Sequence, residues 1–487
     1  MSIPNKVQLI TYADSLGGNL KALNTVLEKY FSGAFAGIHI LPPFPSSGDR
    51  GFAPLTYFEI EPSFGGWADM AALGEKYNLL VDMMVNHISR ASVPFQDFLQ
   101  NGRASTYADY FLTLDKIWSD GKPRESDIDK VYLRRPLPYS TYRLADGSEE
   151  RVWTTFGGTD PSEQIDLDVS SSKVRQWFTD IFTFFAKNGI GLVRLDAVGY
   201  VIKKPGTSCF LVEPEFSEFL EWIKATACNA DIELLCEVHA ETAIQNKLAG
   251  AGYWIYDFVL PYTVLHVLQT GKSELLYSML KDRPHNQFTT LDCHDGVPVT
   301  PDLDGWVDVR EARSVCAACE ERGAKFTRVV SDEHKGPGGF DVHQICGTYY
   351  SLLGSDDAYI AARAIQFFVP GIPQVYYVGL LAGTNDETRR ELEGEDRALN
   401  RHNFTLEEIA CACEKPVVQR LLRLIHLRNT HPAFNGEFMT APLQDNNRVS
   451  LYWRKGDFFC ILEIDLKLMK TVIRYTDEHG MACKLEA

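Results

Sequence analysis

The chain has 487 residues, 45% hydrophobic and 23% charged, which suits one large folded domain with attachments and excludes a disordered chain. A formal net charge of −17 argues against a nucleic-acid partner, because a phosphate backbone needs a basic face. Small anions remain possible only at sites built from local Arg, Lys or His against that field.

The start, MSIPNKVQLITYADSLGG, lacks the charged head and long apolar run of a signal peptide. Apolar runs such as ARAIQFFVPGIPQVYYVGLLAG are interrupted by Arg, Pro and Gly, so no membrane span is expected. The 11 cysteines are odd in number and scattered, the usage of free thiols in a reducing compartment, and a cytoplasmic location is expected. Cys316 and Cys319 form a lone CxxC with no second pair or His pair, and EARSVCAACEERG reads as a helix face.

In chain order, eight apolar runs carry polar residues at their C-terminal ends. They start near Val7, Phe35, Asn78, Gly191, Ile232, Tyr253, Gln287 and Val369. Helical patterns such as GGNLKALNTVLEKYF and SSKVRQWFTDIFTFFAKNG separate most of them. Buried parallel strands alternating with helices predict an α/β fold, a (β/α)8 TIM barrel. Two connections are too long for simple crossovers: an inserted loop domain after strand 3 and a second insertion after strand 7. The segments RVSLYWRKGDFFCILEIDL and TVIRYTD alternate as antiparallel strands do. The expected division is barrel at 1–87, 166–296 and 365–433, insertions at 88–165 and 297–364, and a small C-terminal antiparallel β-domain at 434–487.

Catalytic groups of such barrels sit at the C-terminal ends of strands. Those ends carry Asp49, Asn86 and His87, Arg194 and Asp196, Glu237 and His239, and His294 and Asp295. Alone, each carboxylate also fits a satisfied ion pair or a helix N-cap. Three together, each with a basic neighbour one or two residues away, point to a catalytic set. Arg194 and Asp196 share a strand face, so the Arg can hold Asp196 ionised as a nucleophile. A more apolar Glu237 is expected to keep its proton and act as general acid, and Asp295 to stabilise an oxocarbenium-like transition state. Retaining glycosyl transfer uses two carboxyls roughly 5–5.5 Å apart.

VDMMVNH, GLVRLDAVGY, LLCEVH and TTLDCHDG, in this order, resemble the four signature regions of glycoside hydrolase family 13, the α-amylase clan. Over nearly the whole chain the resemblance extends to the sucrose phosphorylase subfamily. It is carried by KVQLITYADSLGGNL, HILPPFPSSGDRGFAP, HISRASVPFQDFL, GTYYSLLG, GIPQVYYVGLLAG and RALNRHNF. It implies Asp196 as nucleophile, Glu237 as acid/base and Asp295 as stabiliser. It implies His87, Arg194 and His294 around a glucosyl unit, Asp49 with Arg401 at its far hydroxyls, Phe52 and Phe156 as aromatic walls, and Gln164 nearby. It further implies Arg135, Asp341, His343 and Gln344 at an acceptor site serving fructose and phosphate in turn.

Where plain sucrose phosphorylases carry Tyr, this chain has His343, and Arg134 stands beside Arg135. LRRPLPYSTY, VWTTFGGTDPSEQIDLD and FDVHQ most resemble members acting on sucrose 6'-phosphate. The expected reaction yields glucose 1-phosphate and fructose 6-phosphate, with Arg134 and His343 as two extra cations for the phosphate. The alternative for these two residues is Arg134 in solvent and His343 packed in its loop. The alternative function is a sister phosphorylase acting on sucrose, glucosylglycerol or glucosylglycerate, the last of which would also use a cationic pocket. A non-catalytic amylase-like subunit and a simple hydrolase are the other readings. The partners are then a sugar or sugar phosphate and inorganic phosphate, with the chain a monomer or homodimer. No cofactor and no metal are expected, although Asn86 sits where some amylases place a calcium ligand. Lys203 and Lys204 are expected in a solvated loop.

Overall fold

The computed structural model describes residues 3–157, 160, 163–281, 283–299, 306–440, 445–477 and 479–486. Eight parallel strands close into a barrel: β1 (Gln8–Thr11), β2 (Gly37–Ile40), β3 (Asn78–Met84), β4 (Ile190–Asp196), β5 (Glu233–Cys236), β6 (Trp254–Asp257), β7 (Gln287–Thr289) and β8 (Ile372–Tyr376). Each is hydrogen-bonded to its neighbours in sequence order, and β8 closes on β1. All eight coincide with the apolar runs read from the sequence.

Strand alternation divides the barrel interior into layers. Leu80, Leu192, Leu235, Phe288 and Ile372 fill the lower part with Tyr256 and Phe258. Two residues further along β3 and β4 the apolar layer gives way to charge. The register pairs Leu80 with Leu192, then Asp82 with Arg194 and Met84 with Asp196. The same alternation that packs the floor therefore lifts Arg194 and Asp196 to the upper rim.

The first insertion begins as a ribbon in which His87–Ser89 pairs antiparallel with Gln164–Asp166. His87 thus belongs to this ribbon and not to a barrel strand. A hairpin, Tyr139–Arg143 against Glu149–Trp153, lies within the insertion. The second insertion carries the helix Val309–Glu320 and a sheet of Val297–Pro298, Val342–Cys346 and Lys325–Arg328. Cys316 and Cys319 are buried on that helix, and Cys319 Sγ accepts from Gln269 Nε2 at 3.4 Å.

The C-terminal sheet is five-stranded and antiparallel: β9 (Glu437–Thr440), β10 (Arg448–Lys455), β11 (Phe458–Asp465), β12 (Lys470–Thr476) and β13 (Ala482–Glu486). It docks on the barrel through Trp453, whose indole N–H donates to the carbonyl of Phe368 at 2.6 Å. Among the described residues no helix is long and apolar enough to cross a membrane.

Candidate active site

A cleft opens over the C-terminal ends of the barrel strands. Asp49, Phe52, His87, Arg134, Phe156, Gln164, Asp196, Glu237, His294, Asp295, His343 and Gln344 line it, all of them expected from the sequence. Arg194 and Arg401 lie just behind the wall, 3% and 1% exposed.

Arg194 is the hub. Its Nη1 donates to Asp196 Oδ1 at 2.9 Å and also pairs with Asp82, while its Nη2 meets Glu237 Oε1 at 3.1 Å. Asp82 is in turn held by His39 Nε2 at 2.6 Å, and Tyr256 Oη contacts the other ring nitrogen of His39 at 3.1 Å. One guanidinium thus faces three carboxylates, and their negative charges raise one another's affinity for a proton.

The hydrogen-bond donors are shared unequally between the carboxyls of Asp196 and Glu237. Burial and the charge of Glu237 raise the Asp196 carboxyl well above the usual range, against Arg194. Burial pushes Glu237 up too, but Arg194 and a hydrogen bond from His239 Nε2 at 3.2 Å overcome it and hold Glu237 at about 2. The N–H of Ala197 adds a third donor to Glu237 at 2.8 Å. Ala197 can aim that N–H because the chain turns left-handed, φ 52°, directly after β4. Glu237 thus sits among more polar partners than the apolar site expected: the sequence around Glu237 did not reveal the cation of β4 or the turn beyond it.

Asp295 stays ionised. Burial would raise it, but the charges of Arg397 and Arg401 hold it well below the usual carboxylate range, since the neutral His294 beside it supplies no charge. Arg397 Nη1 lies 3.0 Å from Asp295 Oδ1 and its Nη2 reaches Gln344 Oε1 at 3.5 Å. Arg397 also lines the cleft and was missed by sequence reasoning, although it opens the RALNRHNF segment. Tyr200, Phe210 and His239 are further lining residues.

At the far end Arg401 Nη1 stands 3.6 Å from Asp49 Oδ1, and its Nε donates to the carbonyl of His294 at 3.0 Å. Arg401 Nη2 is buried with no hydrogen-bond acceptor among the described residues, a donor available to a ligand hydroxyl. Phe52 stacks on His294 with centroids 4.7 Å apart, and its carbonyl meets His87 Nε2 at 3.0 Å and Gln164 Nε2 at 3.1 Å. Burial keeps His294 neutral, its value pushed down to about 3.

On the opposite side Arg134 Nη1 donates to His343 Nε2 at 2.6 Å, across 209 residues of sequence. Burial first, then the Arg134 charge, depress His343 well below the usual histidine range. His343 is therefore a neutral acceptor that orients Arg134, not the second cation expected. Arg135 is not among the lining residues: its guanidinium donates to Ser140 Oγ at 3.2 Å and the carbonyl of Tyr139 at 3.3 Å inside the first insertion. Neighbouring side chains on this irregular segment diverge. Asp341 is not among them either, and it pairs with Arg328 Nη1 at 2.5 Å across the second insertion.

Lys203 departs from expectation as well. It is buried, and its ammonium lies 2.8 Å from Asp166 Oδ2 and 2.7 Å from Asn86 Oδ1, beside the carbonyl of Tyr200. The ammonium is thus enclosed by oxygens of Asn86, Asp166 and Tyr200. Lys204 is exposed and pairs with Glu215 at 2.5 Å. Glu237, His239 and Asp295, and separately Cys293, His294 and Asp295, bring three possible ligand atoms within 4.8 Å of one another. Both carboxylates in these groups already face a guanidinium, Arg194 or Arg397.

A barrel with carboxylates at the ends of β4, β5 and β7 around one deep cleft defines the class, and comparison agrees. The profile of the alpha-amylase catalytic domain matches residues 12–267, and the chain belongs to the alpha-amylase family. It is 59% identical over 486 residues, 99% of each chain, to the sucrose 6(F)-phosphate phosphorylase of Thermoanaerobacterium thermosaccharolyticum. It is 43% identical to the glucosylglycerol phosphorylase of Marinobacter adhaerens across the whole of both chains. The crystal structure of sucrose 6F-phosphate phosphorylase from Thermoanaerobacter thermosaccharolyticum superposes with a TM-score of 0.98, covering 100% of this chain and 99% of that one.

Proposed function

We propose that the protein is a retaining glycoside phosphorylase that cleaves sucrose 6'-phosphate with inorganic phosphate. The products are α-glucose 1-phosphate and fructose 6-phosphate. The observation that carries the choice of substrate is the Arg134 guanidinium held by His343 in the cleft, with His343 5.7 Å from the His239 ring that bonds Glu237. A sugar phosphate leaving group and inorganic phosphate would each meet that cation. Relatives that act on sucrose 6(F)-phosphate support the same reading.

The reaction runs as two displacements. Asp196 attacks the anomeric carbon while Glu237 gives its proton to the glycosidic oxygen, and fructose 6-phosphate departs. Inorganic phosphate then gives a proton back to Glu237, and its oxygen displaces Asp196 with net retention. Asp295, kept anionic by Arg397 and Arg401, faces the positive charge that develops on the sugar ring. Both steps need Asp196 as the anion and Glu237 as the acid or base. Substrate favours that arrangement, because the glycosidic oxygen accepts from a protonated Glu237 and the sugar's developing charge favours an anionic Asp196.

The test is the product and its anomer. Sucrose 6'-phosphate with inorganic phosphate should give glucose 1-phosphate seen as the α-anomer by proton NMR, and removing phosphate should stop its formation. Free glucose released at the same rate with and without phosphate would mean a hydrolase.

A further inference from the structure

The far end of the glucosyl subsite is built on a turn that its own residues do not favour. Asp49 and Arg50 are both left-handed, at φ 44° and 49°, and Gly51 follows at φ 109°. Gly51 is required, because a Cβ there would lie 2.6 Å from the carbonyl oxygen of Pro42. Asp49 tolerates the left-handed region better than most residues, but Arg50 does not, so something outside the turn holds it.

Arg50 supplies the hold. Its Nη1 donates to the carbonyl of Arg401 at 2.9 Å, and its Nη2 donates to Asp14 Oδ1 and Ser15 Oγ, each at 3.1 Å, and to Asn403. The guanidinium also lies over the Tyr12 ring, 3.9 Å from its centroid. Asn403 Nδ2 closes the cluster on Asp14 Oδ2 at 2.7 Å. Loops following β1, β2 and β8 thus converge on one side chain, and that side chain does not line the cleft. Its immediate neighbour, Asp49, does, and the backbone it grips belongs to Arg401, the partner of Asp49.

We propose that Arg50 is a positioning residue that fixes the Asp49–Arg401 pair and so sets the subsite's demand for a glucose with a free 4-hydroxyl, the group opposite the reacting carbon. Substrates whose 4-hydroxyl is substituted, as within an α-glucan, are excluded by this clamp. The inference rests on the reading that Asp49 and Arg401 face a terminal glucose.

The test compares kcat/KM for α-glucosyl fluoride with that for its 4-deoxy analogue, at saturating inorganic phosphate, in wild type, Arg50→Gln, Asp49→Ala and the double variant. The fluoride needs no proton from Glu237, so the ratio reports the glucosyl subsite alone. Asp49→Ala should reduce the ratio about tenfold or more and Arg50→Gln about tenfold, with the double variant no lower than Asp49→Ala, because the two act as one unit. Should Arg50→Gln fail to fold, Asn403→Ala removes one of its acceptors and should lower the ratio in the same direction. If Asp49→Ala leaves the ratio unchanged, the reading of the subsite fails and the inference with it. If Asp49→Ala collapses the ratio while Arg50→Gln or Asn403→Ala slows both substrates equally, the subsite reading stands and the role of Arg50 is overturned.

Discussion

The two sides of the cleft are built differently. On the glucosyl side Arg194, Asp196, Glu237, His294 and Asp295 stand at or just beyond the ends of barrel strands, in contact with buried partners. On the acceptor side Arg134 comes from the first insertion and His343 and Gln344 from a strand of the second, and they meet only because the two insertions touch. Leu133 N–H and the carbonyl of Val131 both bond the Ser331 hydroxyl, at 3.0 and 2.9 Å, which joins the insertions directly beside Arg134. Bond-breaking chemistry is thus carried by the rigid frame, and choice of leaving group by a junction of loops. A family can change the second without disturbing the first.

The largest effect should come from the frame. Asp196→Ala should lower kcat by about 10⁵-fold or more for every glucosyl donor, phosphorylated or not. Steady-state rates on sucrose 6'-phosphate and on α-glucosyl fluoride check this, and residual turnover above a thousandth of wild type would remove Asp196 as nucleophile.

Lys203 braces the start of the first insertion from below. Lys203→Met leaves Asp166 buried without its cation and should destabilise the chain by about 3–5 kcal/mol. Urea unfolding measures it; an unchanged midpoint would mean that Asn86 and Thr155 alone satisfy Asp166.

The pH dependence of stability separates the two sides more finely. His294 has a folded value of about 3 against an ordinary 6.5, so the unfolded chain binds a proton below pH 6.5 that the folded chain refuses. Its contribution is complete above pH 6.5 and shrinks as pH falls toward 3, by about 2 kcal/mol between pH 6.5 and 5. His87 and His343 are depressed in the same direction. Asp196, raised, has the opposite sign: its stabilising effect is present at low pH and is lost as pH rises through its folded value. The fall in melting temperature from pH 7 to pH 5 should therefore be smaller in His294→Gln than in wild type, and an equal fall would contradict a neutral buried His294.

The smallest effect belongs to a residue that the sequence placed in the acceptor site. Asp341→Asn should change the preference for sucrose 6'-phosphate over sucrose by less than about threefold, since its partner is Arg328 at a partly exposed pair. A tenfold change in that preference would return Asp341 to the cleft.

The barrel and its catalytic carboxylates were legible because strand periodicity alone decides which face of GLVRLDAVGY looks inward, and Asp196 follows Arg194 by two. The donors to Glu237 were not legible, because Arg194 reaching across from β4 and the left-handed Ala197 are not written in the residues flanking Glu237. Arg134 and Arg135 are adjacent in sequence, and only the fold of the first insertion decides that one enters the cleft and the other does not. Lys203 read as a loop lysine because its partners, Asn86 and Asp166, lie 117 and 37 residues away. Arg397 stayed hidden behind the better-marked Arg401 four residues later, although both converge on Asp295.

The most direct measurement is the ratio of kcat/KM for sucrose 6'-phosphate to that for sucrose, in wild type and in Arg134→Ala, followed as phosphate-dependent glucose 1-phosphate release. The expected result is a strong wild-type preference for the phosphorylated sugar that falls about a hundredfold in Arg134→Ala, with kcat/KM for sucrose reduced far less, because that constant reports the glucosylation step and not the later capture of phosphate. A wild-type preference for sucrose, or a ratio untouched by Arg134→Ala, would contradict the assignment of the acceptor site.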